Sequence, residues 1–224
     1  MTSILISGVD LVGKTTLLQN LNRVLSDQGY SVISNSHELV KTPFSERAHE
    51  LMHKDPKCHE KEDESAKMSL DINGLLAIGF LIDGSSVCPA ANQVVIQDSY
   101  YHRVIAFNEV NKLPYIAQVL RYASQKGALI RFDINIFLTA SIEERRRRFH
   151  TKEKVDCLDE DVFSRPDHVL RFESILEELV STEPRYVRID STALTPEQVT
   201  TMALQHIKPS LPLFQKQVAP YAKT

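Results

Sequence analysis

GVDLVGKTTL, residues 8–17, is the stretch on which the fold turns. Gly8, Gly13, Lys14 and Thr15 complete the pattern GxxxxGK followed by Ser or Thr. A short apolar run, SILIS (3–7), precedes it, and Leu17, Leu18, Leu21, Val24 and Leu25 recur after it at helical spacing. Strand, glycine loop and helix in that order form a phosphate cradle. The glycines let backbone N–H groups turn inward around a β-phosphate, Lys14 adds a point charge, and the Thr15 hydroxyl suits Mg²⁺. A chance loop would have to match every position and both flanks by accident. Loops of this kind also serve regulatory switches, so the cradle alone does not make a kinase.

Four more strands are expected downstream, at SVISN (31–35), VVIQ (94–97), INIFL (134–138) and YVRI (186–189). Helices are expected from Pro43 to about Lys54 and over 66–83, 101–109, 114–126, 141–149, 166–181 and 196–207. The charged stretch 53–65 reads as a loop. Alternating strands and helices predict an α/β three-layer sandwich, a five-stranded parallel sheet with helices on both faces. One P-loop domain is expected over 1–208, with an irregular Pro-rich tail over 209–224.

Composition narrows the function. A net charge of −3 gives no electrostatic footprint for nucleic acid, and the 7% aromatic content shows no stacking pattern. The three cysteines, Cys58, Cys88 and Cys157, are far apart, so neither a disulfide framework nor a zinc site is expected, and a reducing cytoplasm is the default. The N-terminal apolar run lacks a basic flank and reads as a strand rather than a signal peptide. INGLLAIGFLI (72–82) is too short to span a bilayer and is followed at once by Asp83. His49 and His53 stand one helical turn apart but in charged surroundings, so they read as an exposed helix end.

Asp98 ends the VVIQ strand, where ligands of open α/β sheets bind, and is the natural second metal residue beside Thr15. Arg145 to Arg148 are consecutive on a predicted helix. Successive helical residues diverge by about 100°, so these four cannot share one ligand. One or two are expected to stabilise a transferring phosphoryl group, the rest to pair with Glu143, Glu144 or water.

These residues resemble the thymidylate kinase family. GVDLVGKTT is similar to its P-loop, with Asp10 two residues after the first glycine. HELVKTPFSERAHELM (37–52) resembles the family segment REPGGTPxGExxRxLL, with Glu38, Thr42, Pro43, Glu46, Glu50 and Leu51 in matching places. QDSYYHRVIAF (97–107) resembles DRYxxSxxAF through Asp98, Tyr100, Ala106 and Phe107. IFLTASIEERRRR resembles the strand and helix leading into the lid, and YVRIDST (186–192) the strand and loop packed near adenine. The resemblance runs from about residue 3 to 207.

It implies a P-loop kinase fold with a short lid around 149–160, MgATP as donor, γ-phosphoryl transfer to a nucleoside monophosphate, and a homodimer. Carried over by position, ATP falls to Gly8, Asp10, Val12, Gly13, Lys14, Thr15, Thr16, Arg145 and Ser191. Mg²⁺ falls to Thr15 and Asp98, and catalysis to Lys14, Asp98, Arg147 and Arg148. The acceptor falls to Asp10, His37, Glu38, Phe44, Ser99, Tyr100 and Arg103.

The departures concentrate on the acceptor side. Ser99 stands where the family has the Arg of DRY, and His37 where it has the Arg of REP. LLAIGFLIDG (75–84) has no basic residue where the family carries another Arg. Each lost Arg removes a charge-assisted hydrogen bond worth about 1.5–3 kcal/mol. Arg103, one helical turn after Ser99, is the foremost replacement, with Lys41 and His102 nearby. The expectation is therefore an ATP-dependent phosphotransferase acting on a nucleoside monophosphate or related small molecule. Its rivals are a kinase of a nucleoside or other hydroxylated molecule with a rebuilt pocket, and a non-catalytic nucleotide-binding regulator.

Overall fold

The computed structural model describes residues 2–36, 39–54, 62–86, 93–152 and 163–211. Five strands, β1 (Thr2–Ser7), β2 (Ser31–Ser36), β3 (Gln93–Asp98), β4 (Ile134–Thr139) and β5 (Tyr186–Asp190), form one sheet in the order β2-β3-β1-β4-β5. Every pairing is parallel, as their near-continuous apolar runs predict. The helices among the described residues are α1 (Lys14–Asp27), α2 (Pro43–Lys54), α3 (Glu62–Ser86), α4 (Tyr101–Val110), α5 (Pro114–Gln125), α6 (Ile142–Thr151), α7 (Pro166–Ser181) and α8 (Pro196–Ile207).

Strand alternation sends side chains to two cores. Ile4, Ile6, Ile96, Ile136 and Leu138 face Leu17, Leu21 and Leu25 of α1 and Val199, Ala203 and Ile207 of α8. Leu5 and Phe132 face the opposite layer, with Ala48 of α2, Leu76 and Phe80 of α3, Tyr101 and Ile105 of α4 and Leu120 of α5. Phe137 points the same way, onto Leu176 and Val180 of α7. Each fully buried leucine or phenylalanine contributes about 1.5–3 kcal/mol, so the sandwich is held from both faces of the sheet.

Each expected strand and helix forms, with ends shifted by a few residues. One reading changes: α3 starts at Glu62, inside the charged stretch expected to be a loop, so the loop is shorter. The expected lid beyond Lys152 and most of the tail lie outside the described residues, and positions 149–151 form the last turn of α6. Where the chain is described past Pro209, the carbonyl of Ser210 accepts a hydrogen bond from the Thr2 hydroxyl, which ties the end of α8 back to β1. Among the described residues, no helix is long and apolar enough to cross a membrane.

Candidate active site

Strand β1 is central, and its carboxyl end delivers residues 8–13 to the middle of the ligand edge of the sheet. The loop needs its glycines. Gly8 has φ 140°, and a Cβ there would sit 2.3 Å from the Leu138 carbonyl oxygen. Gly13, φ 98°, is the N-cap of α1. Its lack of a side chain leaves α1 without a side-chain cap, and the first turn holds no acidic residue. The N–H groups of that turn thus remain available to an anion, with Thr15 and Thr16 exposed beside them.

Lys14 is not extended into open solvent, as an isolated loop lysine would be. Its Nζ donates to the Val9 carbonyl at 2.8 Å and meets Asp10 Oδ1 at 3.4 Å. Asp10 is shared: its Oδ2 also accepts from Arg103 Nη2 at 2.8 Å, and Arg103 Nη1 reaches the Gly8 carbonyl at 3.4 Å. Burial opposes the charge on Asp10, but Arg103 and then Lys14 outweigh it and hold the carboxyl well below its usual range. The Phe172 ring of α7 lies 5.4 Å from the Arg103 guanidinium and restrains its far side.

Asp98 closes β3 directly beside β1, paired with Ile6, and the Ser99 N–H donates to the Ile6 carbonyl at 2.9 Å. Ser99 adopts φ 60°, and its hydroxyl donates to Asp98 Oδ1 at 3.1 Å. The residue in the place of the family arginine thus braces the candidate metal carboxylate instead of reaching outward.

The four arginines of α6 go to four destinations. Arg145 is buried and donates through Nη2 to both oxygens of Glu173, at 2.7 and 2.6 Å, while Thr139 donates to Glu173 from β4. Arg145, expected at ATP, here ties α6 to α7. The Arg146 guanidinium lies 5.5 Å from the Phe163 ring. Arg147 is exposed and forks onto Glu144. Arg148 alone lies along the P-loop, donating to Leu11 O at 3.1 Å, Ser191 Oγ at 3.1 Å, Ser191 O at 2.8 Å and Glu144 Oε1 at 2.8 Å. The hydrogen bonds from Arg147, joined by that of Arg148, hold Glu144 down at about 2. Ser191 Oγ is buried against the carbonyls of Val12, at 2.9 Å, and Thr139, at 3.0 Å. Leu11, held by Arg148, has φ 67°, so the loop is pinned where its backbone is least relaxed.

Tyr100 belongs to the core, not to an open pocket wall. It is fully buried, its ring meets Phe80 and Phe132, and its hydroxyl donates to Asp83 Oδ2 at 3.1 Å. His102 also turns inward, with Nε2 3.3 Å from Glu183 Oε1 and its ring stacked on Tyr101. Phe44 is exposed at the start of α2, and Lys41 just before it. His37 and Glu38 lie outside the described residues. Sequence reasoning missed Asp83, whose signal was an acid in the last turn of an apolar helix, against the helix dipole.

Phosphate-loop residues, Asp98 and Arg148 thus converge on one edge, flanked by Arg103 on the β3 side. A family model of thymidylate kinase matches residues 6–203. The chain belongs to the thymidylate kinase family. The solved thymidylate kinase of Candida albicans shares its fold, with a TM-score of 0.66 over 93% of this chain and 92% of that one, at 17% identity. A comparison with curated protein sequences gave no match. Family membership implies a phosphotransferase, and the family typically uses MgATP. This member's cradle fits a nucleoside triphosphate: a glycine at 8 where a Cβ would collide, a glycine at 13 with positive φ, an uncapped helix start and a lysine within the loop.

Proposed function

We propose that this protein transfers the γ-phosphoryl group of MgATP to a nucleoside monophosphate or a related small acceptor. The observation that carries the reading is the Lys14–Asp10–Arg103 chain at the mouth of the P-loop. MgATP supplies the transferable phosphoryl group and the metal that neutralises its developing charge. Gly8, Gly13 and the first turn of α1 hold phosphate oxygens, Lys14 adds its charge, and Thr15 and Asp98 hold the metal. Lys14 must leave Val9 and Asp10 to do so, an exchange of neighbouring acceptors within reach of one side chain.

Arg148 and Ser191 stand on the donor side and keep the loop in shape. Arg103 stands on the acceptor side, on the first turn of the helix that follows Asp98 and Ser99. A cation there takes up the acceptor's negative charge in place of the missing arginines. Asp10 orients that cation, and once Lys14 leaves its Oδ1 that edge opens to an acceptor hydroxyl.

One observation favours a second reading, an unphosphorylated acceptor. Asp10 already neutralises Arg103, and the described side chains of α3 from 71 to 86 include no cation. The test is ADP release with MgATP against dTMP, dUMP, other nucleoside monophosphates, free nucleosides and hydroxylated metabolites. Turnover of a monophosphate supports the first reading, and turnover confined to unphosphorylated acceptors the second. ATP binding without acceptor-dependent ADP release makes the protein a nucleotide-binding regulator.

A further inference from the structure

The sheet edge has a donor side, where Arg148 and Ser191 meet the P-loop, and an opposite side bounded by β3 and β2. Ser36, the last residue of β2, pairs with Asp98, the last of β3. The chain leaving β2 therefore starts at the ligand edge, and residues 39–42 lead into α2, which begins at Pro43. What fixes that segment is a residue from a different element.

Asp83 lies in the last turn of α3, fully buried. Its Oδ2 accepts from the Leu39 N–H at 2.8 Å and its Oδ1 from the Val40 N–H at 2.7 Å. Oδ2 also accepts from the Tyr100 hydroxyl at 3.1 Å. Tyr100 is the N-cap residue of α4 and follows Asp98 and Ser99 directly. One carboxylate thus joins the segment leading into α2, the end of α3 and the turn that carries the candidate metal residue.

Local preference does not explain an acid there. A negative charge in a helix's last turn opposes the dipole, and burial raises the Asp83 carboxyl pKa despite its three donors. The position is rigid as well, since a Cβ on neighbouring Gly84 would come within 1.9 Å of the Ala128 carbonyl oxygen. Val40 and Lys41 occupy the place of a glycine pair in the related segment, so the backbone there carries side chains and needs an external anchor.

We propose that Asp83 is a positioning residue for the phosphoryl acceptor, holding residues 39–45 at a fixed distance from the Asp98–Tyr100 turn so that Phe44 and Arg103 face a common space. The proposal rests on the phosphotransferase reading. It assigns a role to a residue outside the phosphate cradle whose partners among the described residues are Leu39, Val40 and Tyr100.

The test compares the full chain with Asp83→Asn and the milder Tyr100→Phe. Asparagine keeps the size of the side chain but turns a donor toward one of the two N–H groups. For the best acceptor of the nucleotide and nucleoside panel, the acceptor KM is expected to rise at least tenfold in Asp83→Asn and two- to fivefold in Tyr100→Phe. The KM for MgATP should stay within twofold of the unaltered chain, and hydrogen exchange at Leu39 and Val40 should quicken in Asp83→Asn. If Asp83→Asn does not fold, the acceptor KM of Tyr100→Phe decides. Lowered thermal stability with an unchanged acceptor KM, or equal changes in both KM values, overturns the proposal and leaves the phosphotransferase reading standing. Silence of the unaltered protein toward every acceptor overturns that reading, and the proposal with it.

Discussion

Arg103 Nη2 lies 2.8 Å from Asp10 Oδ2, a contact that joins the first turn of α4 to the P-loop. It brings together two residues 93 positions apart and places a cation one helical turn beyond Ser99. If that cation meets the acceptor, Arg103→Ala raises the acceptor KM by about 10- to 150-fold, the range for loss of one charge-assisted hydrogen bond. The KM for MgATP changes far less. Steady-state kinetics with each substrate varied in turn checks this, and equal loss for both substrates would place Arg103 in the loop's framework alone.

Lys14→Ala should abolish acceptor-dependent ADP release while leaving the melting temperature within a few degrees of the unaltered chain. The lysine's partners in the structure are the Val9 carbonyl and Asp10, both within the same loop, so neither bond ties one element of the fold to another. An unchanged turnover rate would remove Lys14 from the chemistry.

The two neighbouring arginines of α6 should separate cleanly. Arg148→Ala removes the bonds to Leu11 and Ser191, so MgATP binding, measured by calorimetry, should weaken by tenfold or more. Arg147→Ala removes an exposed fork onto Glu144 and should leave binding within twofold. Equal effects of the two substitutions would contradict the division of labour along α6.

Arg145→Met should destabilise the fold by about 3–5 kcal/mol, because it strands the buried carboxylate of Glu173. Adding Glu173→Leu should recover much of the loss, since an apolar pair of similar volume needs no ionic partner. Urea denaturation of the single and double variants decides, and a mild single variant would place Glu173 in better contact with water than the structure does.

His102 makes stability depend on pH. Burial pushes its pKa below 6.5, more than neighbouring Glu183 restores, so the fold keeps the ring neutral while the unfolded chain takes up a proton near 6.5. Stability is therefore complete above that pH and falls as the pH drops through it, by up to about 1.4 kcal/mol per pH unit for one proton. Glu183, Tyr101 and, through Glu183, Arg131 face the same cluster. Thermal melts between pH 7.5 and 5 should show a shallower decline in His102→Asn than in the unaltered chain. Parallel declines would mean that the ring is protonated in the fold.

The sequence by itself determined the fold class, the order of the strands along the chain and the phosphate loop. These are local: apolar runs make strands, leucine spacing makes α1, and Gly8 and Gly13 permit backbone angles that other residues resist. The divergence of Arg145 to Arg148 was legible for the same reason, since helix geometry alone separates consecutive side chains. Which arginine met which partner was not. Arg145 found Glu173 and Arg148 found Leu11 because α6 packs between α7 and the P-loop, and spacing along one helix carries no record of its neighbours. Tyr100 and His102 look like pocket residues beside Asp98, yet packing against α3, β4's approach and the end of α7 draws both inward. Asp83 was read only as the stop to an apolar run, and it became an anchor when the fold carried the end of α3 to Leu39, Val40 and Tyr100. Periodicity and loop chemistry are short-range and survive in one dimension; the choice of partner for a buried charge is made only when distant elements close around it.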